Sequence, residues 1–198
     1  MNANKMVGMK MRKLLLHVCC GPCSTEVMDR LAREYDLSLL FFNPNISPKD
    51  EFERRALEAE KYAAARCIPI TRGEYDHEAW LAAIKGMESE PEGGRRCAVC
   101  FGLRLAQAAR IAKESGIGLF TTTLTISPHK NAKVVNENGL IASKEAGVEF
   151  LESDFKKKDG FKKSLHLSKE AGMYRQDYCG CEFSKRDSHR RGEAGHEC

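Results

Sequence analysis

Short apolar runs recur along the chain at intervals that suit a sheet alternating with helices. Runs at residues 13–18, 37–43, 67–73, 119–124 and 148–151 are each bounded by Gly, Pro or Asn, and they predict five strands. Between them the apolar spacing becomes helical. Ser24 stands where it could cap a helix to about residue 35, with Val27, Met28, Leu31 and Tyr35 on one face. Further helices are predicted over residues 50–66, 76–85, 97–115 (stopping at Gly116) and 131–146. The remainder reads as an irregular basic C-terminal segment with one helix over residues 164–172. This order, β-α-β-α-β-α-α-β-α-β, predicts an α/β fold: a parallel five-stranded sheet with helices on both faces, Rossmann-like. No repeat or low-complexity linker interrupts it. Residues 13–184 therefore read as one domain, 1–12 as a flexible N-terminus and 185–198 as a loose polar tail. In such sheets ligands bind at the carboxyl ends of the strands.

Composition changes this picture at one point. Among 198 residues with net charge +4, nine are cysteines. The apolar runs are too short to span a bilayer, and the basic N-terminus is followed by no signal-type apolar stretch, so the expectation is a cytoplasmic protein with no membrane partner. In that setting disulfides explain the thiols poorly, and metal binding or redox chemistry explains them better.

Seven of the nine thiols fall in three groups: Cys19, Cys20 and Cys23; Cys97 and Cys100; Cys179 and Cys181. The first follows the first strand, where Gly21-Pro22 ends the extended backbone and lets neighbouring sulfurs turn to one place. Cys97 and Cys100 are three apart, on one face of a first helical turn, and a helix N-terminus favours thiolate. Gly180 permits the tight backbone that two converging sulfurs need. Soft thiolates select iron–sulfur clusters, zinc or copper(I), and a cubane takes four cysteines. The surplus of three suits a second metal site, or else a redox-active pair. Cys67, in an apolar run, reads as core packing, and Cys198 as a free thiol.

The chain resembles the QueH family of epoxyqueuosine reductases. The resemblance lies in HVCCGPCS at 17–24, FFNPNI at 41–46, RCAVC at 96–100, TTTLTISPHKN at 121–131, DFKK at 154–157 and YRQDYCGCEFS at 174–184, in the same order. It implies a nucleotide α-hydrolase-like fold in which thiols replace the glycine-rich pyrophosphate loop of ATP-using members. It implies a cobalamin-independent oxidoreductase that removes the epoxide oxygen of epoxyqueuosine in the tRNA anticodon with two electrons and two protons. It also implies a [4Fe–4S] cluster beside a mononuclear metal ion, expected to be iron. Our division gives the cluster Cys19, Cys20, Cys97 and Cys100, and the second metal Cys23, Cys179 and Cys181. The spacing leaves other divisions open.

Cys23 is expected to be needed for activity, and the departing oxygen needs a proton donor, for which His17, Asp154, Tyr178 and His129 near the motifs are candidates. Each also has a plain structural reading: a hydrogen-bonded core histidine, a turn cap, a solvated loop residue. Seven Lys or Arg stand against three acids between residues 154 and 175. Lys156, Lys157, Lys162, Lys163 and Arg175, together with Lys130, are the expected tRNA-binding cations, extended by Arg95 and Arg96. Phe155, Phe161 and Tyr178 are the candidate base-stacking rings. No flavin or nicotinamide motif is visible, so the electron donor is expected to be external, a ferredoxin or flavodoxin. Two other readings are an iron–sulfur tRNA thiolase, which would use an ATP loop, and a zinc-stabilised RNA-binding module.

Overall fold

The computed structural model describes residues 11–194, with side chains to residue 188. Five strands form one parallel sheet in the order β3-β2-β1-β4-β5: β1 Arg12–Val18, β2 Tyr35–Phe41, β3 Ile70–Arg72, β4 Leu119–Thr122 and β5 Glu149–Phe150. Helices α1 (Gly21–Leu31), α2 (Lys49–Ala64), α3 (His77–Ala83), α4 (Arg95–Glu114), α5 (Ala132–Ala146), α6 (Gly160–Glu170) and α7 (Glu182–Ala194) complete it. The expected α/β class, strand number and sheet direction are all present.

Side-chain alternation on β1 divides the core in two. Leu14, Leu16 and Val18 face α1 and α2, packing on Val27, Met28, Phe52 and Ala56. Leu15 faces the other way, onto Phe101 and Leu105 of α4 and Val135 of α5. Both faces of β1 are buried, which is why its sequence is a continuous apolar run. β1 pairs with β2 on one side and β4 on the other, so the strand order reverses there, and the crevice lies at their carboxyl ends.

Several boundaries differ from the expected ones. The first helix starts at Gly21 and is capped by Cys20, whose sulfur accepts from the Cys23 amide; Ser24 instead donates back to the Gly21 carbonyl, and Tyr35 opens β2. Cys67 is exposed, in a turn after α2 with φ of 54°, and does not pack in the core. Residues 123–126 leave the sheet as a 3-10 turn, because the Thr122 hydroxyl accepts from the Leu124 amide. Residues 182–194, taken as the end of the domain and a loose tail, form α7. Arg12 belongs to β1, whereas residues 1–10 and Cys198 lie outside the described residues.

Helix α6 lies on α1 through small residues. Gly160, Ser164 and Ser168 are buried at four-residue spacing, and the Thr25 hydroxyl reaches the Ser164 carbonyl at 3.5 Å. A Cβ at Gly160 would run into the Phe155 carbonyl oxygen. Gly160→Ala should therefore cost about 1–3 kcal/mol through forced backbone movement. Urea denaturation followed by circular dichroism measures this, and an unchanged midpoint would show that the turn gives way freely.

Candidate thiolate metal centre

The crevice holds a cavity of about 210 Å³. Its walls include Cys19, Cys20 and Cys23 from the β1–α1 junction, Arg104 from α4, His129 and Lys130 from the loop before α5, and Phe161, Arg175, Tyr178 and Cys179 from the C-terminal segment. Thiols from the beginning and end of the chain thus meet at one place. All eight described cysteines are free.

The first group is a compact triad. The sulfurs of Cys19, Cys20 and Cys23 lie within 4.8 Å of one another. Extended backbone at Cys20 (φ −169°, ψ 162°) lets its side chain turn over the first turn of α1, where Sγ accepts the Cys23 amide at 3.4 Å. Cys19 is fixed from β4's end: its amide donates to Thr123 Oγ1 at 3.0 Å, and that hydroxyl donates to Cys19 Sγ at 3.2 Å. Hydrogen bonds from Cys20 and Cys23, with Lys130 and Arg104 nearby, hold the Cys19 thiol well below its ordinary pKa. The same bonding to Cys19 pushes Cys20 up to about 12 and Cys23 well up. One anion is shared by three sulfurs, and a bound cation would displace the remaining protons.

The second group is Cys97 and Cys100 on the first turns of α4, with Cys179 and Cys181 from the segment before α7. Cys97, Cys100 and Cys181 each feel the charge of Cys179, and Cys100 packs with Cys181, Trp80 and Ile84. Burial pushes Cys97 up to about 12 and Cys181 to about 11, so desolvation outweighs the helix end expected to favour thiolate. Gly180 has φ of +143°, and a Cβ there would sit 3.0 Å from Ile46 and 3.1 Å from Arg55. Lys130 stands between the groups. Burial lowers its pKa, but Cys179, Cys19 and Cys23 raise it by more, and it keeps its proton.

Cys23 stands close to Cys19 and Cys20 because all three ride on one strand–helix junction, and Cys179 shares their cavity wall. Cys97, Cys100 and Cys181 each feel the charge of Cys179. The donors around these sulfurs fit an anionic group. Arg55 Nη2, Arg104 Nε and Trp80 Nε1 are buried N–H donors with no well-aligned hydrogen-bond partner, although Trp80 and Arg104 lean on the Cys100 thiol and Arg55 on the Tyr178 hydroxyl. Among the described residues only the triad has three sulfurs within 4.8 Å of one another. A tetrahedral ion with metal–sulfur bonds of about 2.3 Å holds its thiolates roughly 3.8 Å apart, close to that spacing. Four further cysteines match the ligand number of a cubane, whose thiolates sit on separate irons and so stand wider.

Other candidates fall in and out of the site. Tyr178 lines the cavity; its hydroxyl donates to the Ser47 carbonyl at 3.3 Å, and burial raises its pKa. His17 is not part of the lining. Its Nε2 donates to the Phe42 carbonyl at 3.0 Å, so Nδ1, 2.8 Å from Thr122 Oγ1, is the acceptor of a neutral ring. Burial, then Arg104, lowers its pKa to about 3. Asp154 also lies outside the lining, paired with Lys156 at 2.8 Å. Phe155 is buried under Arg30 and presents no face to a base; Phe161 lines the cavity. Arg96 is buried against the carbonyls of Glu88 and Glu90, unlike exposed Arg95. Lys157, Lys158, Lys162, Lys163 and Arg175 are exposed. Two buried arginines escaped sequence reading, Arg55 and Arg104. Each lies on its helix's apolar stripe, beside Phe52, Ala56 and Ala59 or beside Cys100, Phe101 and Leu105, and that placement was the available signal.

A doubly wound sheet with a triad of thiols able to hold a metal ion at its switch point, and no glycine-rich phosphate loop there, defines a Rossmann-like scaffold with a candidate metal site. The chain belongs to the family described as epoxyqueuosine reductase QueH, whose model matches residues 14–187. An epoxyqueuosine reductase QueH of Acinetobacter baylyi is 41% identical over 180 residues, covering 90% of this chain and 83% of that protein. The one from Thermotoga maritima is 35% identical, over 90% of this chain and 95% of its own length. The solved U34-tRNA thiolase NcsA from Methanococcus maripaludis, with its [4Fe-4S] cluster, is 13% identical with a TM-score of 0.52, covering 98% of this chain and 70% of that one, a likeness of fold. The chain is an enzyme of the oxidoreductase class, which replaces the reading as an RNA-binding module.

The geometry at His17 predicts an acid sensitivity. Its pKa is about 3 folded and 6.5 ordinarily, so the unfolded chain takes up the proton first. Stability from this group is full above about pH 6.5 and is lost progressively toward pH 3. Denaturant melts of the native chain and His17→Gln between pH 7 and 5 should show the steeper loss in the native chain. Parallel slopes would mean that His17 titrates normally.

Proposed function

We propose that this enzyme converts epoxyqueuosine in tRNA to queuosine, using a [4Fe–4S] cluster held by Cys97, Cys100, Cys179 and Cys181. A mononuclear metal, taken as iron, would sit on Cys19, Cys20 and Cys23. The observation that carries the reading is a cavity lined by the triad of Cys19, Cys20 and Cys23 together with Cys179, whose charge acts in turn on Cys97, Cys100 and Cys181. When bound, such groups supply single electrons and a Lewis acid for an oxygen atom. The reaction takes two electrons and two protons and releases water. An external protein of the ferredoxin or flavodoxin kind supplies the electrons, and the setting is the cytoplasm.

The chain's own residues do the rest. The cavity of about 210 Å³ is small beside typical ligand pockets of roughly 300–1,000 Å³ and admits the epoxide-bearing substituent of the base, not a whole nucleotide. Phe161 and Tyr178 at its wall offer ring faces to the base. Lys130 and Arg104 present positive charge toward an oxygen that gains electron density as its bond to carbon opens. Tyr178 Oη holds a proton at the wall. Exposed Lys157, Lys162 and Lys163 on α6 and its approach, with Arg175 at the cavity mouth, contact phosphates of the anticodon arm, and Lys156 supports that surface through Asp154.

Anaerobic turnover on tRNA bearing epoxyqueuosine, with nucleoside mass as readout, should show loss of one oxygen. Persistence of the epoxide with iron fully loaded and excess reductant would reject the activity. Cys20→Ser should lose the mononuclear metal while keeping the brown cluster chromophore, and Cys100→Ser should lose the chromophore. A second expectation concerns the substrate arm. Lys162→Glu combined with Lys163→Glu should weaken tRNA binding and flatten its dependence on log salt by about 0.7–0.9 per lost phosphate contact. An unchanged salt slope in filter binding would remove α6 from the tRNA surface.

A further inference from the structure

Two arginines sit where an exposed charge would be ordinary and a buried one demands a reason. The Arg55 side chain is fully buried. Its Nε donates to Glu51 at 2.6 Å and its Nη1 to the Cys179 carbonyl at 2.9 Å, while its guanidinium stands 4.8 Å from the Tyr178 ring centre. Nη2 has no partner. Its charge acts on Cys20 of the triad. Arg104 approaches from the opposite face of the sheet. It is 2% exposed, donates through Nη2 to the Asn43 side-chain oxygen, and leaves Nε without a partner. Asn43 is itself held by its amide donating to the Val18 carbonyl at 3.0 Å. Arg104 acts on Cys19 and on Cys100.

Each arginine thus reaches both sulfur groups, one from α2 and one from α4. Only Arg55 has a carboxylate partner, Glu51; Arg104 is held by a neutral amide. An unpaired buried cation is costly unless an anion faces it. Nη2 of Arg55 and Nε of Arg104 lack a geometric hydrogen-bond partner, while the two guanidinium groups lean on the Tyr178 hydroxyl and the Cys100 thiol respectively.

We infer that Arg55 and Arg104 are positioning residues that bracket the thiolate centre and set its reduction potential by stabilising the more negative, reduced state. This rests on the reading above that the cysteines hold an iron–sulfur group. One-electron reduction adds a negative charge to the centre, and a fixed cation in a poorly screened interior favours that state. Removing the cation should move the potential to more negative values. Arg55 has a second role: it clamps the Cys179 carbonyl, so the strap that brings Cys179 and Cys181 to the site depends on α2. Arg104 does not hold that strap.

The test uses the full chain, reconstituted anaerobically with iron and sulfide, in native form and as Arg55→Met, Arg55→Lys, Arg104→Met and Arg104→Lys. Iron content is measured, and the cluster is titrated with dithionite while its electron paramagnetic resonance is followed. Both methionine variants should show a more negative potential at native iron content. Both lysine variants, which keep the charge, should lie near the native potential. If a methionine variant folds poorly, the lysine variant at that position decides: a native potential supports the inference, and a lowered one overturns it. Native potentials in both methionine variants at full iron content also overturn it. A native chain that takes up no iron would instead overturn the functional reading on which the inference stands.

Discussion

The extended backbone at Cys20 is the constraint from which the site follows. A strand ends there and a helix begins one residue later, with a sulfur in place of the usual oxygen cap. Because that sulfur turns over the helix end, Cys19 and Cys23 are drawn to the same side, and three thiols share one point in space. The Thr123 hydroxyl completes the arrangement by gripping both the amide and the sulfur of Cys19 from the 3-10 turn that follows the neighbouring strand. The switch point between β1 and β4 is where a parallel sheet leaves its ends unpaired, so a polar, ligand-ready site forms there without breaking the core.

The second sulfur group needs more of the chain. Cys97 and Cys100 arrive on a rigid helix, but Cys179 and Cys181 lie in irregular backbone and must be held. Glu51, Arg55 and Glu58 of α2 hold it: Glu58 accepts the Tyr174 amide at 3.0 Å, Glu51 the Tyr174 hydroxyl, and Arg55 grips the Cys179 carbonyl. The amide of Ser47 adds a bond to the Gly180 carbonyl at 3.0 Å. Helix α2 is thus a dock for the last part of the site.

Much of this was legible in the linear pattern. Apolar runs located all five strands, most sharply β1, β2 and β4, which are mostly buried, whereas the edge strands β3 and β5 are short and partly exposed; the three cysteine groups were recognisable as one constellation. Where reading failed, it failed for identifiable reasons. Cys67 looked like a core residue because it borders the apolar residues Ile68 and Ile70, yet α2 ends at Ala64, short of the expected boundary, the strand begins only at Ile70, and Cys67 is left in the turn between them. Phe155 looked available to stack on a base because its neighbours are lysines, yet it is the one residue of that run turned inward. The pairing of sulfurs depended on which segments share a junction, and spacing along the chain does not carry that. Arg55 and Arg104 were hidden by the habit of assigning arginine to solvent. Only their phase on the helical stripe distinguishes them from the exposed arginines nearby.

The strap that carries Cys179 and Cys181 has a consequence for how the protein comes into being. These two are the last of the seven gathered thiols to leave the ribosome. The triad and the pair on α4 are made long before them, so a nascent chain can shape its sheet while its wider sulfur group is still half complete. Completion of that group therefore follows synthesis of nearly the whole domain, and products truncated before Cys179 lack two of its four thiols.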